Sequence, residues 1–236
     1  MSFEVDIGYS SQRGPRELNE DFAGAVHAPR GDEARGLIAA IADGVSSGGH
    51  GREAAQTTVM GLLADYFATP DTWEPTAALD RLIGAQNGWL ADHNRRRQGK
   101  EGGGTALTTL TALVLHGQGY TLAHVGDTRA WRVRVGDCFV LSSDGVHGVL
   151  KPQQVAALAL QGDAEAASEA LVHAALEAGT RDNATALVIR VVGLDARQLD
   201  DELGDGRRLA PPPALKVGDV LDGYAITALV ADTGVH

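Results

Sequence analysis

Residues Leu37–Gly51 read LIAAIADGVSSGGHG. The apolar run from Leu37 to Ala42 stops at the turn dipeptide Asp43-Gly44. A run that short, closed by a turn, predicts a strand buried on both faces rather than a helix. A carboxylate at the mouth of such a strand is costly unless a partner neutralises it, and a metal ion is the commonest such partner. Gly44 lets the backbone turn sharply and approach a ligand closely. Gly48, Gly49 and Gly51 keep the following loop open, after which Arg52 opens a helix. One Asp-Gly alone is most simply an ordinary turn; recurrence of the pattern changes the reading.

Outward from this strand, Phe3, Val5, Ile7 and Tyr9 alternate with polar residues or glycine, as in a half-buried strand. Ser10–Leu18 reads as a loop and Phe22–His27 as a second strand. Arg52–Phe67 is predicted helical from Ala55, Val59, Leu62, Leu63 and Phe67. Thr76–Gln98 is predicted as a second helix, with Thr76 as cap and Leu79, Leu82, Ile83, Ala85 and Leu90 on its apolar side. Arg95-Arg96-Arg97 reads as a solvated helix end that complements the dipole. Beyond the break at Gly102–Gly104, strands are expected over Thr105–Leu115, Gly119–Val125, Arg129–Val135 and Cys138–Ser142. Helices over Lys151–Gln161 and Ala164–Ala178 and a final strand over Ala184–Val192 complete the pattern. Strands in two groups with two helix pairs predict a layered α+β domain. It is expected to span 1–193, with a charged and proline-rich linker over 194–236.

The chain has 236 residues, 44% of them hydrophobic, which suits a globular protein. Its net charge of −11 argues against nucleic-acid and anionic-membrane partners and suits a protein that collects cations. The one cysteine, Cys138, excludes an intramolecular disulfide and reads as a core residue. No stretch approaches a membrane span and Met1–Ser10 has no leader character, so a cytoplasmic protein is expected.

Asp21, Asp43, Asp127, Asp144 and Asp182 each sit at the start or end of an apolar strand. Strand ends brought to one edge of a layered fold would converge these carboxylates, and they would repel strongly without cations. No histidine-rich or cysteine-rich set accompanies them, so the donors select hard ions, Mg²⁺ or Mn²⁺, over Zn²⁺. Two such ions sharing Asp43 would lower the pKa of a water to give a hydroxide suited to phosphate esters. An arginine is needed to grip the phosphate, and Arg16 or Arg13 is placed for it.

RELNED (Arg16–Asp21), IADG (Ile41–Gly44), HVGDTR (His124–Arg129), SSDG (Ser142–Gly145) and TRDN (Thr180–Asn183) occur in an order that resembles PPM-type, or type 2C, metal-dependent protein serine/threonine phosphatases. Thr108-Thr109 is similar to that family's paired threonines on a core strand. The resemblance covers roughly residues 3–192 and implies a four-layer αββα sandwich, two sheets face to face with helix pairs outside. It implies that Asp43 bridges two catalytic ions, that the Gly44 carbonyl ligates one, and that Asp144 and Asp182 hold the first. Asp21 would act directly or through water, and Asp127 would help hold a third, weaker ion. Arg16 would bind the substrate phosphate, with Asn183 behind the ligands. His50 is implied as proton donor to the leaving alcohol; the bland alternative is an exposed loop histidine. The partner implied is a phosphorylated protein, attacked in line by a bridging hydroxide.

Residues 211–226, PPPALKVGDVLDGYAI, resemble the junction in bacterial proteins that fuse such a phosphatase to a serine/threonine kinase. His236 comes before any nucleotide-binding loop, so the chain as given is not expected to be a kinase. One departure stands out. From Asp127 to Asp144 is 17 positions, where the family carries several tens more, including a flap beside the active site. The flap is expected to be missing, with core edges exposed and substrate selection affected. Two other readings follow: a catalytically weak domain that binds phosphoproteins or regulates a kinase, and a hydrolase of small phosphate esters.

Overall fold

In the computed structural model, which describes residues 4–45, 49–97, 104–117, 119–133, 137–193, 220–221 and 224–225, the predicted central strand is the hub of one of two antiparallel sheets. In chain order, β1 (Glu4–Gln12), β2 (Asp21–His27) and β3 (Leu37–Val45) precede helices α1 (Gly51–Tyr66) and α2 (Pro75–Arg97). Then come β4 (Leu107–Thr108), β5 (Leu110–His116), β6 (Gly119–Val125), β7 (Arg129–Val133) and β8 (Cys138–Ser142). Helices α3 (Asp144–His147), α4 (Pro152–Ala159) and α5 (Ala164–Glu177) lead to β9 (Ala184–Gly193). The sheets run β1-β9-β8-β7 and β2-β3-β5-β6, with β4 paired to the end of β3.

Alternation along β3 explains the layers. Leu37, Ala39 and Ile41 face Phe139, Leu141, Leu187 and Ile189 of the other sheet. Ile38, Ala40 and Ala42 face α1 and α2, against Val59, Leu62 and Leu79. A third core joins Val140 and Val188 to Val155, Leu171 and Val172 of α4 and α5. The order helix–sheet–sheet–helix is therefore the expected αββα sandwich, and β3 is buried on both faces as its composition predicts. Cys138 is buried in the third core.

Several local expectations are corrected. β1 continues through Ser10–Gln12 rather than ending in a loop, because β9 pairs with it down to Ala184 and the Ser11 hydroxyl meets that of Thr185 at 2.7 Å. Tyr9 is exposed, while Gly8 takes the buried position; a Cβ there would lie 1.9 Å from the Ala164 carbonyl oxygen. The strand expected over Thr105–Leu115 breaks at Thr109, whose N–H goes to the Asp43 carbonyl instead. α2 begins at Pro75, which needs no N–H partner in a first turn, so Thr76 is not its cap. Ala85 faces solvent. Arg97 is not a freely solvated end residue: it pairs with Glu53 of α1 at 3.4 Å.

Within the short Asp127–Asp144 segment β7 pairs antiparallel with β8, and Arg132 pairs with Asp137 at 2.8 Å. β6, next to it in the chain, leaves Tyr120, Leu122 and Val125 exposed. The chain divides into two units, Met1–Asp195 and Ala196–His236. In the second, β10 (Val220–Leu221) pairs with β11 (Tyr224–Ala225). The rest of the kinase-junction resemblance, and Gly48 and Gly102, lie outside the described residues. Among the described residues no helix is long and apolar enough to cross a membrane.

Candidate active site

The register of β2 on β3 sets Asp21 directly opposite Asp43. Like charges so placed are destabilising on their own. Asp21 is 5% exposed; its Oδ2 accepts a 2.7 Å hydrogen bond from Ser143, and its Oδ1 is buried with no partner among the described residues. Burial pushes its carboxyl up to about 6, with Asp144 and Asp182 adding to the shift. Asp43 is pushed further, to about 8, by burial and then by Asp21, Asp144, Asp182 and Asp127 in turn. Asp144 is also raised by burial and by Asp182 and Asp127, and its buried Oδ1 has no partner among the described residues. The five aspartates are thus close enough to repel one another.

The backbone around Asp43 is clamped. Its N–H donates to Thr109 Oγ1 at 2.9 Å, and its carbonyl accepts from the Thr109 N–H and the Thr108 hydroxyl, each at 2.9 Å. The paired threonines therefore fix the strand end that carries the central carboxylate. Gly44 is required by packing: a Cβ there would lie 2.2 Å from the Gly51 carbonyl oxygen, where α1 begins. Gly51 in turn sits under Glu20, whose buried Oε1 is another polar atom with no partner among the described residues.

Asn183 holds the loop that presents Arg16 and Asp21. Its Nδ2 donates to the carbonyls of Arg13 and Leu18, and its Oδ1 accepts from the Glu20 N–H, all at 2.8 Å. Arg16 donates through Nε to the Arg181 carbonyl at 3.1 Å and meets Asp182 Oδ2 at 2.5 Å. The guanidinium expected on a phosphate thus rests on an expected metal ligand. Arg13 instead reaches back to the Glu17 carbonyl. The Asp127 carbonyl accepts from His147 Nε2 at 2.9 Å if that nitrogen carries the proton. Burial and the nearby Arg129 hold His147 down to about 4, which keeps its ring neutral. His50 stands before the first turn of α1 with both ring nitrogens against Arg97, and Glu53 3.5 Å away. Service as a proton donor requires that contact to break.

Ser143, Thr185, Glu20 and His147 were not singled out by sequence reasoning. Ser143 lies inside the SSDG motif and Glu20 inside RELNED, so both had a local signal; Thr185 and His147 become visible only when β9 and α3 are brought beside β2 and β7.

The donor set is all oxygen, and Asp21 Oδ1, Asp144 Oδ1 and Glu20 Oε1 are buried oxygens that a cation would satisfy. Among the described residues no three such side chains already converge tightly enough to hold one ion. Asp21, Asp144, Asp182 and Asp127 repel the Asp43 carboxylate, and Arg16 pairs with Asp182 at 2.5 Å. The residues present fit hard divalent ions by chemistry, and binding would have to draw them together.

The sequence profile of protein phosphatase 2C matches residues 11–155, from the end of β1 into α4. The chain belongs to the protein phosphatase 2C family. A search of curated protein sequences finds no match. Solved structures with the same fold include the Mycobacterium tuberculosis serine/threonine phosphatase PstP/Ppp, 20% identical, with TM-score 0.67 over 79% of this chain and 98% of that one. The catalytic domain of PstP in complex with two manganese ions is 23% identical, with TM-score 0.66 over 80% of this chain and 100% of that one. Stp1 from Staphylococcus aureus is 17% identical, with TM-score 0.68 over 82% of this chain and 97% of that one. The likeness in fold to all three is that of the two-sheet sandwich described above, so this type 2C chain keeps the family fold.

Proposed function

We propose that this type 2C chain hydrolyses phosphoserine and phosphothreonine in proteins, using two Mn²⁺ or Mg²⁺ ions. The observation that carries the reading is the set of strand-end carboxylates that repel one another, with two of their oxygens buried and unpartnered among the described residues. Asp43 with the Gly44 carbonyl, Asp144 and Asp182 would hold the catalytic ions, with Asp21 directly or through water; Asp127 would contribute to a third, weaker site. Bound ions supply a hydroxide nucleophile near neutral pH and neutralise charge on the phosphate. The chain's own residues do the rest. Thr108 and Thr109 fix Asp43, Asn183 fixes the Arg16 loop, and Arg16 grips the phosphate once Asp182 is drawn away from it. Residues 1–193 carry this activity, and 194–236 are read as a linker toward a serine/threonine kinase, supported by the resemblance of residues 211–226.

The test is hydrolysis of p-nitrophenyl phosphate and of a phosphothreonine peptide with and without Mn²⁺. Turnover is expected only with metal and to be lost in Asp43→Asn. Arg16→Ala is expected to raise KM about tenfold or more for both substrates with a smaller change in kcat, since it binds the dianion in ground and transition states alike. Metal-independent turnover, or full activity of Asp43→Asn at saturating Mn²⁺, would overturn the reading. If only Arg13→Ala raises KM, the wrong arginine is assigned.

A further inference from the structure

β6 closes one side of its sheet: the order β2-β3-β5-β6 leaves no described strand beyond it. From Gly119 to Val125 it carries no Asp, Glu, Lys, Arg or Pro, the residues that usually blunt such an edge. A hollow lies on each face of this edge. One, of about 550 Å³, runs between α2 and β6, with Leu79, Ile83 and Leu90 on the helix and Leu110 and Val125 on the sheet. The other, of about 310 Å³, lies by Leu122, Thr111 and Arg129. A strand laid along β6 would send alternate side chains into these two hollows, because successive residues point to opposite faces. The larger hollow reaches Thr108, whose hydroxyl donates to the Asp43 carbonyl, and β6 ends two residues before Asp127. A segment docked there leads straight to the carboxylate cluster.

We infer that the free edge of β6 and the two hollows beside it dock the protein substrate, taking the polypeptide next to its phosphorylated residue as an added strand. This rests on the phosphatase reading above. The occupant is an extended segment with apolar residues at alternate positions and cationic rather than acidic character. Asp80 on the wall of the larger hollow disfavours an acidic side chain there; Arg129 beside the smaller hollow acts in the opposite sense, and the net charge of −11 tips the balance toward a cationic segment. Main-chain hydrogen bonds to the β6 edge supply affinity, and the hollows supply selection. A second copy offering its own β6 is disfavoured, because it brings its own α2 into the layer that the incoming side chains would fill.

Two variants separate docking from catalysis. Gly84 of α2 lines the larger hollow, and a Cβ there meets nothing within 4 Å. Gly84→Leu therefore fills the hollow while improving helix propensity. Thr121→Lys places a charge on the β6 wall of the same hollow. The probes are a phosphothreonine peptide with alternating valine and lysine flanks, its glycine-serine counterpart, and p-nitrophenyl phosphate. The wild type is expected to show a KM about tenfold lower for the valine-lysine peptide than for its counterpart. Both variants are expected to erase that difference while leaving p-nitrophenyl phosphate kinetics unchanged. Fluorescence anisotropy with the labelled, unphosphorylated valine-lysine peptide is expected to show the same loss of binding. If the wild type binds this peptide in that variant-sensitive way yet hydrolyses no ester, docking stands and the phosphatase reading fails. If esters are hydrolysed but the peptide preference is absent, or survives both variants, docking is overturned. A dimer in sedimentation that Thr121→Lys dissociates would likewise overturn it, assigning the edge to a second copy.

Discussion

β3 and β6 belong to the same sheet and are both largely apolar, yet they are placed in opposite ways. β3 has strands on both sides and a core on each face; Leu37 through Ala42 are fully buried. Among the described residues β6 is paired on one side only, and Leu122 is 44% exposed. The buried strand ends in the carboxylate that the cluster surrounds, held by Thr108 and Thr109. The open strand ends beside the same cluster with hollows on both its faces. One strand supplies rigid placement for chemistry; the other supplies surface that can accept a partner. Burial here comes from neighbours, not from composition.

The largest contrast is expected in stability. Ile41→Ala should lower unfolding free energy by about 2–5 kcal/mol, since the site lies between two sheets that cannot collapse freely. Leu122→Ala should cost less than about 1 kcal/mol, because little apolar area is lost from contact. Urea denaturation compares them; equal losses would mean that β6 is covered in solution. Next in size, Thr109→Val should cost about 1–3 kcal/mol, because the Asp43 N–H loses its acceptor in a partly buried place. It should also slow turnover while leaving the peptide preference assigned to β6 intact. Arg97→Ala, which removes a half-buried guanidinium that pairs with Glu53 and rests on His50, should cost about 0.5–1 kcal/mol in the same assay.

The pH dependence bears chiefly on the β3 end. Asp21 at about 6 and Asp43 at about 8 lie above the ordinary carboxyl value of about 4. From these two groups the folded chain binds more protons than the unfolded one between about pH 4 and 8; His147, held down to about 4, opposes them below about 6.5, so stability in the absence of metal should fall most clearly from about pH 6.5 to 8. Thermal melts in chelator at several pH values check the sign; a stability that rises from about pH 6.5 to 8 would contradict it. Asp43→Asn should flatten the trend.

Much of β3 and its site was legible in the sequence because the signals are local. A six-residue apolar run, a terminal Asp-Gly and a following glycine loop specify a buried strand, a turn and a close helix start. The extension of β1 to Gln12 was not legible, since only pairing with β9 makes Ser10–Gln12 a strand. The break at Thr109 was likewise hidden, because its N–H is claimed by Asp43, distant in sequence. The Arg16–Asp182 pair escaped for the same reason: each residue had a role in its own motif, and contact between the motifs is a property of the fold. The exposure of β6 was foreseen only in outline, from the short Asp127–Asp144 segment; its composition reads like that of a covered strand.

On the proposed function, hard divalent ions relieve the repulsion among the carboxylates at the end of β3. The most direct measurement is the unfolding midpoint at pH 8 for the wild type and Asp43→Asn, each in chelator and in saturating Mn²⁺. The wild-type midpoint is expected to rise by several degrees with Mn²⁺, and the Asp43→Asn midpoint to be higher in chelator and to respond much less to the ion. A wild-type midpoint indifferent to Mn²⁺, or an Asp43→Asn response equal to that of the wild type, would contradict that reading.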